Sequence, residues 1–343
     1  MELSCLQQQL AESDSDGELL STGENLSEEN EHSAAPFSPS SRTHRGSNGR
    51  RTRLRTRSDV QEVIRFMEGE EDDMGSPSAK TETEAPAQTT CWDRIDPRLL
   101  PVVLTVSLLS SATCWFFLQC PLLSEKGIGA LSSLRAGAAM PFMLAFGLMA
   151  FASKVDPGMV PEGDPDRPIE RSYKSSQFPR RIRRYDHFCR WLLNGIGLYN
   201  HREFFMLLMV FTFMVAGSSI VDVYLLTAFL HPEHWVVECL LVGHLAYLGV
   251  FAYGLLPIVR LHVAFVSRNE LANEWKDDLN YVVDDLEMGT SKWVGELDTE
   301  EFNEKFDRFR YEPTRNRWDQ GWQMNCYLFW CVPRWDRHQT GEF

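Results

Sequence analysis

Four long apolar segments dominate the middle of the chain and constrain its fold more than any other feature. They run over residues 99–124, 136–153, 204–221 and 239–259, and charged side chains are absent from all four. A helix rises 1.5 Å per residue, so about 20 residues cross a hydrocarbon core of about 30 Å. One such segment also suits a buried core helix, whereas four in 343 residues predict an all-α membrane protein with four transmembrane helices.

The loops between these segments predict the orientation of the chain. Residues 99–153 hold the first two spans and residues 204–266 the last two, so the loop 154–203 separates the pairs. That loop contains ten Lys and Arg residues, against Lys126 and Arg135 in the loop before it. Positive charge is enriched in cytoplasmic loops. We therefore expect a multi-pass membrane protein with a cytosolic loop domain and both termini cytosolic, in the endoplasmic reticulum, Golgi or plasma membrane without distinction.

The two ends of the chain are polar. Residues 1–90 lack a periodic apolar pattern and are predicted to be a disordered cytosolic tail; its arginine-rich run at 42–57 fits either a solvated tail or attraction to anionic lipid. The C-terminal region 267–343 is also predicted to be cytosolic. There, residues 298–310 predict an amphipathic helix that begins at Asp298 and places Phe302, Phe306 and Phe309 on one face.

Net charge and cysteine spacing disfavour some classes of protein. A formal charge of -14 disfavours general binding to nucleic acid. The eight cysteines are scattered and form no disulfide framework, so we read them as reduced thiols. Two titratable side chains, Asp222 and His244, fall within the apolar part of the chain, on successive antiparallel helices where they are able to pair.

The loop contains a candidate nucleophile, Cys189, in the stretch Asp186-His187-Phe188-Cys189. A thiolate nucleophile needs a base within hydrogen-bond reach, and that base needs an orienting partner. We predict that Cys189 is the nucleophile, that His187 is the general base, and that Asp186 orients His187.

Motifs around this stretch occur in a characteristic order. Asp-Pro-Gly follows the second span, and a tryptophan, two asparagines and a glycine follow Cys189. A glutamate follows the fourth span, and an asparagine lies in the aromatic segment 318–330. These motif residues are Asp156, Pro157, Gly158, Trp191, Asn194, Gly197, Asn200, Glu274 and Asn325. This order, over residues 95 to 332, resembles that of the DHHC protein S-acyltransferases, or palmitoyltransferases.

The resemblance implies an activity and its partners. Cys189 would take a long-chain acyl group from acyl-CoA and pass it to cytosolic cysteines of membrane-associated proteins. Five arginines are candidate contacts for CoA or lipid phosphates: Arg180, Arg181, Arg183, Arg184 and Arg190. Two alternatives remain: a catalytically inactive membrane scaffold or accessory subunit, and a four-span channel or carrier.

The sequence departs from the family at the zinc ligands. Members hold two structural zinc ions with cysteines and histidines, whereas the corresponding positions here are Lys174, Ser175, Phe178, Arg181, Phe188 and Gly195. A structural zinc site needs four thiolate, imidazole or carboxylate ligands. We therefore predict no zinc and no other cofactor, and expect apolar packing to hold the loop, through Phe178, Ile182, Phe188, Trp191 and Leu192.

Overall fold

Four long helices form the membrane-spanning part of the protein. The computed structural model describes residues 96–343 except 162–168, 230–234, 278–279, 286–289, 306–307 and 337–338, so the tail predicted at 1–90 lies outside the described residues. The helices are α1 (Leu100–Glu125), α2 (Leu131–Lys154), α3 (His201–Ala228) and α4 (Trp235–Arg268), each long and apolar enough to cross a membrane. Three of them start before the predicted apolar runs, because polar residues such as Arg135 and Arg202 continue the helical turns.

The outer faces of these helices are apolar. Phe213 is 78% exposed, Val250 75% and Met143 73%. Exposed apolar surface on this scale marks an interaction with lipid or another apolar partner. Together with the length of the helices, it indicates an integral membrane protein whose spans face lipid.

A polar cluster joins three of the spans. One turn of α1, Trp115–Gln119, is π-helical, and Gln119 there donates a 2.5 Å hydrogen bond to Asp222 of α3. His244 of α4 lies 2.7 Å from the same carboxylate, measured from Nδ1 to Oδ2. The predicted pairing of Asp222 with His244 is confirmed.

The loop between α2 and α3 is built from strands, which corrects the purely helical prediction. β1 (Ser172–Tyr173) pairs with β2 (Ile182–Arg183), and β3 (His187–Cys189) pairs with β4 (Asn194–Ile196), both antiparallel. Strands this short carry no readable alternation in the sequence, so an all-α description holds for the spans only.

The C-terminal region contains short elements. α5 (Ala272–Lys276) follows α4, and α7 (Trp322–Cys331) lies near the end of the described chain. Residues 282–310 belong to a compact unit separate from the one that contains the spans. A three-stranded sheet of the C-terminal region has β5 (Tyr281–Asp285) between β6 (Thr290–Trp293) and β7 (Phe309–Tyr311).

The helix predicted over 298–310 is shorter than expected. Asp298 accepts the backbone N–H of Glu301 at 2.8 Å, as a helix cap does, but the helix α6 covers only Thr299–Lys305. Phe309 lies instead in β7, because the sheet satisfies its backbone groups there, and its ring meets Phe302 edge-on at 4.7 Å between centroids. Phe306 lies outside the described residues.

Candidate active site

Alternation along β3 brings the base and the nucleophile to one face. Successive side chains of a strand point to opposite faces, so His187 and Cys189 share a face and Phe188 points away. His187 and Cys189 are buried. On the opposite face the ring of Phe188 packs against that of Phe178, with 6.3 Å between the centroids. Asp186 precedes the strand, and its Oδ2 lies 2.7 Å from Nδ1 of His187. The structure thus brings the three predicted catalytic residues together.

The electrostatics of this group favour a protonated imidazole. Burial lowers the pKa of His187, but hydrogen bonds with Asp186 and Cys189 outweigh burial and raise it to about 9. Burial also raises the pKa of Asp186, yet the surrounding imidazoles, led by His201 and His187, hold it well below its usual range. Asp186 is therefore an anion and His187 a cation at neutral pH.

Cys189 is embedded in an apolar cluster that all four spans build. Its side chain is 5% exposed. An acyl chain attached to this sulfur would lie against aliphatic and aromatic side chains, which is where burial of apolar surface is favourable. The helical members of the cluster are Leu104 and Leu108 of α1, Ala145, Leu148 and Ala152 of α2, Phe204, Leu207, Leu208 and Phe211 of α3, and Leu255 and Val259 of α4.

Asparagines of the motif fasten the loop to the end of α2. The last carbonyls of a helix have no partner inside the helix. Asn194 donates to the carbonyls of Ala152 and Val155 at 2.9 and 2.8 Å, and Asn200 donates to the carbonyl of Gly195 at 2.8 Å. These contacts explain why asparagine occupies both positions.

The Asp-Pro-Gly motif forms a tight turn under the hairpins. Asp156 Oδ1 accepts the backbone N–H groups of Gly158 and Met159, each at 2.8 Å. Gly158 has φ +112°, which favours glycine. A Cβ on Gly197 would lie 2.6 Å from the carbonyl oxygen of Pro157, so only glycine fits there too.

Two further motif residues connect the C-terminal region to α4 and to the loop between α2 and α3. Asn325 donates to the carbonyl of Ser267 at 2.7 Å. Glu274 accepts two hydrogen bonds from Arg171, both at 2.7 Å, and one from the backbone N–H of Leu271 at 2.9 Å. Trp191, the remaining motif residue of the loop, packs against the cluster that contains Cys189.

The five arginines predicted to contact phosphate differ in burial. Arg180 donates to the carbonyl of Val160 and Arg181 to Ser172. Arg183, Arg184 and Arg190 are buried. Arg181 is exposed and Arg180 half-buried, so contact between these arginines and a phosphate stays a prediction.

The residues at the family's zinc positions do not fit a metal. The ring of Phe178 would lie 3.0 Å from a Cβ on Gly195, and Lys174 donates to the carbonyl of Phe178. Ile182 is buried beside Gly195. Phe178 and Ile182 thus take part in the predicted apolar packing of the loop.

Sequence reasoning missed two histidines beside the catalytic acid. His201, in the first turn of α3, and His262, near the end of α4, each place a ring nitrogen 3.9 Å from Asp186 Oδ2. The three side chains offer metal-ligating atoms within 4.8 Å of one another. His187 already contacts the same carboxylate oxygen, so a metal ion there would compete with the hydrogen bond between Asp186 and His187. The position of His201 and His262 next to the ends of apolar runs was the signal in the sequence that could have pointed to them.

Comparisons with known proteins agree with this geometry. A sequence profile described as DHHC palmitoyltransferase matches residues 167–278. Palmitoyltransferase ZDHHC5-A of Danio rerio is 24% identical over 212 residues, and Palmitoyltransferase ZDHHC8 of Mus musculus 24% over 220. These alignments cover 52% and 53% of this chain and 28% of each relative. Palmitoyltransferase akr1 of Schizosaccharomyces pombe is 43% identical over 68 residues, covering 20% of this chain and 10% of its own length.

The fold and the site therefore define a membrane-embedded protein with a buried Asp-His-x-Cys centre. The chain is similar to the DHHC palmitoyltransferases over residues 167–278, which include Asp186, His187 and Cys189.

Proposed function

We propose that the protein is a protein S-acyltransferase that moves a long-chain acyl group from acyl-CoA to cysteines of membrane-associated proteins. One observation carries the proposal. Cys189 is hydrogen-bonded to His187 and lies in the apolar cluster of the four spans, so a sulfur with a basic partner lies among side chains that suit an acyl chain.

The chemistry needs His187 to move one proton in each half-reaction. A protonated imidazole beside a sulfur favours the thiolate. The Cys189 thiolate attacks the carbonyl carbon of the thioester, the bond from that carbon to the CoA sulfur breaks, and CoA leaves with the proton from His187. A substrate thiol then returns a proton to His187 and attacks the acyl-Cys189 thioester, and Cys189 leaves as a thiolate.

The proposal includes the topology and the absence of zinc. With the loop 154–203 and both termini in the cytosol, Cys189 would meet acyl-CoA and membrane-bound cysteines on the same side. We propose that the loop is held without a metal by the packing around Phe178 and by the asparagines Asn194 and Asn200. Zinc measured at one or two ions per purified chain would contradict this part.

Autoacylation tests the nucleophile directly. Purified full-length protein in detergent is incubated with an alkyne-tagged palmitoyl-CoA, and hydroxylamine-sensitive label is measured. We expect label in the wild type and in Cys331→Ser, which removes an exposed cysteine, and loss of label in Cys189→Ser. Equal label in Cys189→Ser would show that Cys189 is not the acylated residue.

A second candidate function, an inactive scaffold or accessory subunit, is favoured by one substitution. The family has two threonines before the glutamate, and Leu271 and Ala272 stand there instead. Ala272 reaches Asp186 only through its backbone N–H, at 2.8 Å. Absence of Cys189-dependent label in folded protein would favour this function.

A further inference from the structure

Residues 339–343 lie against the catalytic loop. Arg171 donates to the carbonyl oxygen of Phe343 at 3.0 Å, and Arg184 donates to the same oxygen. The guanidinium of Arg184 also lies over the Phe343 ring, 4.9 Å from its centroid. Arg183 donates to the carbonyl of Gln339 at 2.8 Å. Three loop arginines therefore find acceptors in one five-residue segment.

These acceptors matter because the arginines are buried. Arg183 is 5% and Arg184 4% exposed. Burial and the nearby charge of Arg171 lower the pKa of Arg184 to about 9, which reflects how little water solvates it. A buried donor that loses its acceptor suffers the full desolvation penalty, so the arginines depend on the segment to stay in place.

The same arginines connect the segment to the catalytic acid. Arg171 and Arg184 share the side-chain oxygen of Asn269, at 3.0 and 2.9 Å. Arg171 also holds Glu274, whose carboxylate accepts the backbone N–H at the start of α5. The next backbone N–H, that of Ala272, donates to Asp186 Oδ1 at 2.8 Å.

We propose that residues 339–343 are a positioning segment, which fixes Arg171 and Arg184 and, through Glu274 and α5, holds the carboxylate of Asp186 in register with His187. In this way the segment stabilises the loop between α2 and α3, which lacks the family's metal ligands. It touches no reacting atom and acts only through the residues that it orients.

Gly341 is the point at which the segment can be disturbed. Its φ of +82° favours glycine, and a Cβ there would lie 3.0 Å from Cβ of Arg184. Gly127, in the turn between α1 and α2, has φ +76° and no atom within 4 Å of its Cβ position. Gly341→Ala and Gly127→Ala therefore carry the same backbone strain, and only the first displaces Arg184.

Hydrogen exchange of the full-length protein in detergent tests the bracing. The amides of Arg183, Asp186 and Leu198 form the backbone hydrogen bonds that close the loop. Peptides covering 182–198 should exchange about tenfold faster in Gly341→Ala than in Gly127→Ala. Phe343→Ala keeps the backbone carbonyl and should raise the exchange rate of the same peptides by a smaller factor. If Gly341→Ala does not fold, Phe343→Ala tests the bracing in its place. Equal exchange in all variants overturns the proposal.

The pH profile of autoacylation distinguishes positioning from general stabilisation. The titratable and charged groups around His187 are Asp186, Cys189, His201, His262 and Arg184. If Asp186 shifts away from His187, the imidazolium is less stabilised, so the fall in rate at high pH should move down by about half a pH unit or more. A lower rate with an unmoved profile contradicts the positioning role. This readout rests on the proposed function, whereas hydrogen exchange does not, so a protein without autoacylation still tests the bracing.

Discussion

Asp186 and His187 form a buried ion pair, with Oδ2 and Nδ1 2.7 Å apart. The pairing raises the pKa of His187 to about 9 against the lowering effect of burial. At neutral pH the imidazole therefore already carries a proton. The sequence predicted that His187 is the general base; in the proposed mechanism the imidazole holds the proton before the sulfur attacks.

Replacing Asp186 with Asn should nearly abolish autoacylation while the fold persists. The amide removes the anion that stabilises the imidazolium, so the pKa of His187 falls and Cys189 loses its cationic neighbour. We expect the initial rate of hydroxylamine-sensitive labelling to fall by about 10²- to 10⁴-fold. Asp284→Asn, which breaks a half-exposed ion pair with Arg310, is the matched control and should keep the wild-type rate. A wild-type rate in Asp186→Asn would remove the carboxylate from the mechanism.

Stability should fall as the pH rises from neutrality to about 9. The folded pKa of His187, about 9, lies above its usual value of 6.5. Its contribution is therefore complete below pH 6.5 and is lost as the pH rises through 9. The melting temperature in detergent, followed from pH 6.5 to 9.5, measures this loss. His187→Gln should flatten the slope, and an unchanged slope would refute the assignment.

Glu270 should give a second, separate pH dependence. Burial raises its pKa to about 7, although hydrogen bonds from Asn280 and Tyr281 oppose the rise. Its folded pKa exceeds the usual 4.5, so stability declines as the pH rises from 4.5 to 7 and is level above that. Glu270→Gln should match the wild type near pH 4.5 and melt higher than it near pH 7.5. A lower melting temperature at both values would show that the carboxylate is needed in its charged form.

The predictable parts of the structure are those that depend on the order of apolar and charged residues along a short stretch of the sequence. The spans follow from uncharged runs, and Asp222 meets His244 because each lies a similar distance from the turn that joins α3 and α4. The hairpin at His187–Cys189 was not predicted, since three residues are too few to show a period. The internal partners of Arg183 and Arg184 were not predicted either. Their partners, Gln339 and Phe343, lie 156 and 159 residues away in the chain, and only the fold reveals such pairs.

The polar cluster between the spans should stabilise the helix packing. Asp222→Ala would leave His244 and Gln119 facing each other without the carboxylate that now joins them. Polar contacts between membrane helices contribute about 1–2 kcal/mol, so the variant should unfold at a lower temperature in detergent. A double-mutant cycle with His244→Ala measures the coupling. Additive losses would mean that the pair contributes no interaction energy.

Breaking the pair of Arg171 and Glu274 should be the most damaging change outside the catalytic residues. The Arg171 side chain is 2% exposed, so Glu274→Ala leaves a buried guanidinium without its carboxylate, which costs about 3–5 kcal/mol of the free energy of unfolding. It also removes the acceptor at the start of α5, and Ala272 then loses its fixed position on Asp186. Glu274→Gln keeps one acceptor and should lose less. Glu301→Ala, at an exposed pair with Lys292, should change the free energy of unfolding far less, because solvent screens such a pair. Denaturation of the three variants in matched detergent tests the order, and a loss in Glu274→Ala no larger than in Glu301→Ala would contradict a structural role for the pair.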